Sequence, residues 1–353
     1  RSRVQTLRHL RSGGDGEGMK GRAASGWAWA FLGLPLFGLL GWLLPSHTES
    51  YFMYVVGLAG INVILAVSLH IVCGLTGQFS LGHAGFMAVG GYTAALFGTK
   101  VIAEYKLLYL SEPASDTILF LFATLLGGTA AAIAGLLVGL PSLRLRGDYL
   151  AIVTLGFAEI IRVVIENVET LGAATGLVGI PPLTNLFWIF FWAGTTVLYA
   201  KRLQESTHGR ALLAIREDEI AAEAVGVDTT GYKVRAFVAS SFFAGVAGAL
   251  LGYYLTILTP KDFIFLRSVE VVVMVVLGGM GSASGAVLAA ILLTALPEAL
   301  RPLREHTGVD LRMVIYAALL LAMMLLRPHG MLGRRELWSL RRRKTAPQPE
   351  VAP

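Results

Sequence analysis

Ten stretches of this chain are apolar for close to the length that crosses a bilayer. They fall at 27–44, 51–72, 78–99, 117–140, 149–165, 183–200, 234–258, 268–280, 284–300 and 311–326. A spanning helix takes about 20 mostly apolar residues, and in lipid every backbone N–H and C=O must be satisfied inside the segment. The expected fold is therefore all-α, a polytopic integral membrane helical bundle of about ten transmembrane segments. The stretch 268–280 is too short to cross comfortably and reads as a broken or re-entrant segment, tolerated where protein or a water-filled cavity covers its backbone. Composition agrees. Hydrophobic residues make up 55% and charged residues 15%, against roughly 45–50% and about 25% in soluble domains, so lipid has to act as part of the solvent.

Residues 1–18 are basic, Gly-rich and aperiodic, and read as a disordered leader or as sequence upstream of a start at Met19. Trp27 to Leu44 is 18 residues, longer than the core of a signal peptide, and no small-x-small cleavage site follows it, so it is expected to span. The domain reading is then a basic N-terminal segment over 1–26, a transmembrane domain over 27–333 with a cytoplasmic loop at 201–233, and a basic cytoplasmic tail over 334–353. Ten crossings place both termini on one side. With that side inside, segments 1–26, 141–148, 201–235 and 327–353 hold 21 of the 29 Lys and Arg residues and the outside loops hold 7, as the positive-inside rule requires. The basic charge thus reports topology and anionic lipid, and calls for no nucleic acid.

Small residues repeat at helical spacing. Gly135 and Gly139 lie on one face, as do Ala244, Gly248 and Gly252, where backbones of packed helices approach closely. Cys73 is the only cysteine, which excludes a disulfide within one chain and a multi-cysteine zinc site. His70 lies one turn from Cys73 without enough further ligands for a metal. Arg162 has Glu159 and Glu166 at helical distance, an ion-pair arrangement, and Asn62, Glu270 and Glu298 read as packing contacts.

Two polar interruptions stand out. The first is 77-GQFSLGHAG-85, where Gly77, Gly82 and Gly85 bracket Gln78, Ser80 and His83. Two roles are open: these side chains recapture backbone groups freed at a glycine break, or they line a path for a zwitterionic solute. The second is the loop 201–235, far longer than a turn needs. Ala211 to Val225 reads as one amphipathic helix with Ile215, Ala222 and Val225 on one face and Glu217, Asp218 and Glu219 opposite. Gly226 is a natural stop, and Asp228 or Thr229 can cap the next span. A helix lying on headgroups usually carries Lys or Arg on its polar face, so an acidic face suits a protein partner.

Five blocks, taken together and in order, resemble the permeases of branched-chain amino acid ABC importers, the LivM-type branch more than the LivH-type. They are GQFSLGHAGFMAVGGYTAAL from 77, RLRGDYLAIVTLGFAEIIR from 144, GRALLAIREDEIAAEAVGVDTTGYKVRAFVASSFFAGVAGALLG from 209, LGGMGSASGAVLAA from 277 and RPHGMLG from 327. The resemblance implies a coupling helix that seats on a cytoplasmic ATPase. It falls here on Glu217, Asp218, Glu219, Ala221, Ala222, Glu223 and Gly226, with Arg210 and Arg216 flanking. It also implies a second, LivH-type permease, two ABC ATPase subunits that carry the ATP and Mg, an extracytoplasmic substrate-binding protein, and a place in the bacterial inner membrane. This chain has no GxxxxGK[ST] phosphate loop, so no cofactor and no catalytic residue are expected on it. Related permeases carry urea, amides or other small organic acids. A secondary carrier would place a coupling carboxylate near mid-membrane, and an intramembrane enzyme could nominate only Ser80 with His83.

Overall fold

A computed structural model describes residues 50–102, 112–143 and 148–299, together with 318, 321–322, 330–333 and 336. The described helices are α1 (Ser50–Cys73), α2 (His83–Phe97), α3 (Glu112–Ser142), α4 (Asp148–Asn167), α5 (Leu186–Glu205), α6 (Thr207–Glu217), α7 (Glu219–Ala224), α8 (Thr229–Leu255), α9 (Phe265–Gly278) and α10 (Ala283–Ala299). Eight of the ten apolar stretches coincide with one of these; 27–44 and most of 311–326 lie outside the described residues. Among the described residues three helices, Tyr51–Cys73, Asp116–Ser142 and Thr229–Leu255, are long and apolar enough by themselves to cross a membrane. The shorter α9 matches the stretch expected to be broken, and its 14 residues rise only about 21 Å.

The core is built around α8, which packs on α3, α2 and α1, while α1 also meets α5, α9 and α10. Small residues make this possible. A Cβ on Gly90 of α2 would run into Gly245 of α8, and one on Gly248 into the Met87 carbonyl oxygen. The two helices therefore cross backbone to backbone, and no residue larger than glycine fits at either point. Gly135 and Gly139 of α3 face Ser241 and Phe237 of α8, while Gly252 packs on Leu258. At the periphery α3 and α4 expose Ile133, Leu137, Tyr149 and Ile152, apolar side chains that suit a lipid or protein surround.

One small departure from the all-helical plan ties two loops together. β1 (Leu177–Val178) pairs antiparallel with β2 (Ile257–Leu258), joining the α4–α5 and α8–α9 connections at the end of the bundle away from α6 and α7. The bundle also holds two similar units: α1, a glycine break and α2, then α9, a glycine break and α10. Each pair consists of one helix running towards the α6–α7 end and one running back. The packed body extends past the expected boundary at 333, because Glu336 is only 6% exposed and bonds to α10.

Candidate functional site

The loop between α5 and α8 folds through a series of caps. Ser206 Oγ accepts from Gly209 N at 3.0 Å and starts α6, which buries Gly209, Leu212 and Ile215. The single helix expected over 211–225 is in fact two. Asp218 turns extended, with φ −156 and ψ 111, and its Oδ1 accepts from Ile220 N at 2.9 Å and Ala221 N at 3.0 Å. A short carboxylate that recruits backbone N–H groups ends one helix and starts the next. Gly226 then closes α7 with φ 86, a left-handed backbone that glycine adopts without a Cβ clash, and Asp228 caps α8 through Gly231 N at 3.0 Å.

Side-chain bonds fasten α7 to α8. Lys233 is 3% exposed, and its Nζ lies 2.7 Å from Glu219 Oε1. Thr229 Oγ1 donates to Glu223 Oε1 at 2.6 Å. Two of the acids expected to face a partner are thus engaged within the chain, and a third, Asp218, is a cap. Ala222 is buried, whereas Val225, grouped with it by helical spacing, is 80% exposed and Ile220 66%; α7 ends at Ala224, so Val225 is its C-cap and leaves the face of Ala222. With Ala221 and Ala224 they make the exposed face of α7 apolar, beside exposed Glu217 and Arg210. Arg216 turns inward. Its Nη1 donates to Gly74 O at 2.6 Å and to Met280 O at 3.3 Å, so one guanidinium touches the chain ends of α1 and α9, where carbonyls lack intrahelical partners and a cation is favoured. Gly77, at φ 72, leaves room for the Arg216 stem, whose Cγ would stand 3.0 Å from an added Cβ.

Beyond Gly77 the chain takes no regular secondary structure until α2 begins at His83. The freed N–H groups are met by side chains from three directions. Leu81 N donates to Thr154 Oγ1 of α4 at 3.1 Å, Ala84 N to Ser268 Oγ of α9 at 3.1 Å, and Gly82 N to Ser80 Oγ at 3.4 Å. His83 Nε2 lies 2.8 Å from Ser68 Oγ of α1, and Ser240 Oγ of α8 donates to Ser68 O at 2.7 Å. Ser68 Oγ also donates to Leu65 O at 2.9 Å; with its one proton used there, Nε2 is the donor to Ser68. Gly82 and Gly85 lie against Thr154 and Ala158 of α4. Gln78, Ser80 and His83 are all buried, and Gln78 Oε1 has no partner among the described residues. Ser80 and His83 therefore do not pair with each other: Ser80 Oγ accepts from Gly82 N, and His83 bonds Ser68 Oγ of α1.

The second break is held from outside the bundle. Glu336 accepts from Ala283 N at 2.8 Å, Ser284 N at 3.1 Å and Ser284 Oγ at 2.6 Å, and Ser282 Oγ donates to it at 3.2 Å. A carboxylate at the start of α10 satisfies orphan donors and complements the helix dipole. Met331 N and Leu332 N donate to Leu277 O and Gly278 O, which fixes this segment on the end of α9. Among the described residues no group of three or more His, Cys, Asp or Glu could hold a metal ion.

A helical bundle with, among the described residues, three helices long and apolar enough to cross a membrane, interrupted by capped glycine breaks and carrying a fastened surface helix, has the architecture of a polytopic membrane protein. Residues 51–324 match the branched-chain amino acid transport system permease component, and the chain belongs to that family. It is similar to the high-affinity branched-chain amino acid transport system permease protein LivM of Salmonella typhimurium, at 36% identity over 307 residues, 77% of this chain and 68% of the relative. LivM of Escherichia coli K12 matches to the same extent. Likeness to the LivH permease of Salmonella typhimurium is lower, 25% over 302 residues, 80% of this chain and 94% of that one. No solved structure matches.

Proposed function

We propose that this chain is the membrane-spanning subunit of a binding-protein-dependent ABC importer for branched-chain amino acids. In this reading it pairs with a LivH-type permease, two ATPase subunits on the cytoplasmic face and an extracytoplasmic receptor, with both of its own termini cytoplasmic. One observation carries the reading: α7 presents exposed Ile220 and Val225 while Glu219 and Glu223 bind it to Lys233 and Thr229 of α8. An apolar face on a lone surface helix suits a protein groove, and its bonds to α8 transmit whatever that groove does to the bundle. Reconstitution with the sister permease, ATPases and receptor tests it. Leucine, isoleucine and valine should enter vesicles only with ATP. Uptake by this chain alone on a proton gradient would refute the importer, and ATP-driven uptake of urea in place of leucine would refute the substrate class.

A further inference from the structure

Arg267 and Glu270 lie in the first two turns of α9. Arg267 Nη1 donates to Glu270 Oε2 at 2.9 Å and Nη2 to Asn62 Oδ1 of α1 at 2.6 Å. Asn62 Nδ2 in turn donates to Thr294 Oγ1 of α10 at 2.8 Å. Three helices thus share one chain of bonds, anchored at Asn62, which is 5% exposed. The other end is open: the side chains of Arg267 and Glu270 are 21% and 34% exposed. A guanidinium carries five donors and a carboxylate two oxygens, and Arg267 Nε and Glu270 Oε1 have no hydrogen bond among the described residues.

The depth of this pair follows from helix geometry. Arg216 bonds to both Gly74 O and Met280 O, so α1 and α9 end at one level. Arg267 is 11 residues before Gly278, about 16 Å along the helix, and Asn62 is 12 residues before Gly74, about 18 Å. Those rises agree, as the Arg267–Asn62 bond requires, and put the pair near the middle of a hydrocarbon layer about 30 Å thick, deeper than the outside loop in which the charge count places Arg267. Charges at that depth face a bundle interior or a water-filled cavity, not lipid.

We propose that the open side of the Arg267–Glu270 pair lines the translocation path and takes the two backbone charges of a zwitterionic amino acid. The inference rests on the transport reading above. The solute carboxylate meets the Arg267 guanidinium and its ammonium meets Glu270 Oε1. A pair of zero net charge, with donor and acceptor side by side, suits a zwitterion; either charge alone on a solute would be repelled by one member. Asn62 holds Arg267 in place, so it acts as a positioning residue. Leu266, one turn from Glu270 and 43% exposed, offers apolar surface beside the pair.

The test uses the reconstituted importer. Cys73 is buried and the only cysteine, so Cys73→Ser gives a background in which Glu270→Cys and, separately, Leu266→Cys are introduced. A water-soluble, membrane-impermeant cationic thiol reagent should react at both positions and should block uptake in Leu266→Cys, which keeps the ion pair, and leucine-loaded receptor with ATP should change the rate. Reaction only with a lipid-soluble maleimide, disulfide formation with the neighbouring permease, or no reaction in any nucleotide state would overturn the proposal. Leu266→Cys leaves the ion pair intact and reads the same surface if Glu270→Cys fails to assemble. In addition, Glu270→Gln should lower leucine uptake by about tenfold or more, the scale of one charged contact, while receptor-stimulated ATP hydrolysis persists; unchanged uptake would overturn it. Wild-type leucine uptake in the same vesicles separates the two readings, because its absence defeats the transport assignment and its presence with an unreactive Glu270→Cys variant defeats only this one.

Discussion

Removing Glu219 should loosen α7 from α8 far more than removing the salt bridge as a whole. Lys233 is 3% exposed and its ammonium has Glu219 at 2.7 Å. Glu219→Ala therefore strands a buried cation, whereas Lys233→Met removes the charge and leaves a carboxylate whose side chain is 26% exposed and can reach water. Breaking a fully buried pair from one side costs about 3–5 kcal/mol; the partial exposure of Glu219 lowers this to about 2 kcal/mol. That corresponds to about a 30-fold change in the ratio of docked to undocked helix. Hydrogen exchange on the reconstituted importer reads it directly, since amides of 219–227 should lose about that factor of protection in Glu219→Ala and about a third as much or less in Lys233→Met. The double variant should resemble Lys233→Met. Equal losses in both single variants would refute the reasoning, because they would show that the ammonium is solvated and its burial carries no penalty.

Gly248→Leu should abolish a monodisperse complex, because its side chain would have to pass the Met87 carbonyl; size-exclusion chromatography in detergent checks this against Gly156→Leu, where nothing lies within 4 Å. Arg216→Ala frees two helix ends at once and should reduce uptake while leaving basal ATP hydrolysis, with Arg216→Lys intermediate because an ammonium lacks the planar fork. His83→Gln should keep more uptake than His83→Leu, since only an amide can bond Ser68. Reporter fusions at 166–182 should read outside and at 201–233 inside, and the reverse result would invert the bundle.

Helices are legible where apolar length alone decides them, and the glycine break before His83 is legible because polar residues there interrupt an apolar run. The partners of that break are not. Thr154 and Ser268 lie 73 and 184 residues from the N–H groups they accept, and nothing local marks an isolated Thr or Ser as the cap of a distant helix. Glu336 is hidden for the same reason and because basic neighbours disguise it as tail. The split at Asp218 does leave a signal, an N-capping residue followed by Glu219, but the longer amphipathic period masks it. Lys233 reads in the sequence only as an inside charge, since burial of a lysine depends on a carboxylate that the fold brings beneath it.

The backbone crossing of α2 and α8 has a mechanical corollary. Helices that meet without side chains between them have nothing compliant to yield, so a pull on α7 cannot be absorbed by sliding at Gly90 and Gly245. It must tip α8 as a lever. From that crossing 10 residues run to Leu255, an arm about 15 Å long, so a tilt of about 4° would sweep its far end about 1 Å. That far end carries β2, paired to the α4–α5 loop. In the transport reading proposed above, a stroke at the α7 end would thereby reach the β1–β2 end reversed in direction and reduced to about two thirds of its size, since 16 residues of α8 lie on one side of Gly245 and 10 on the other.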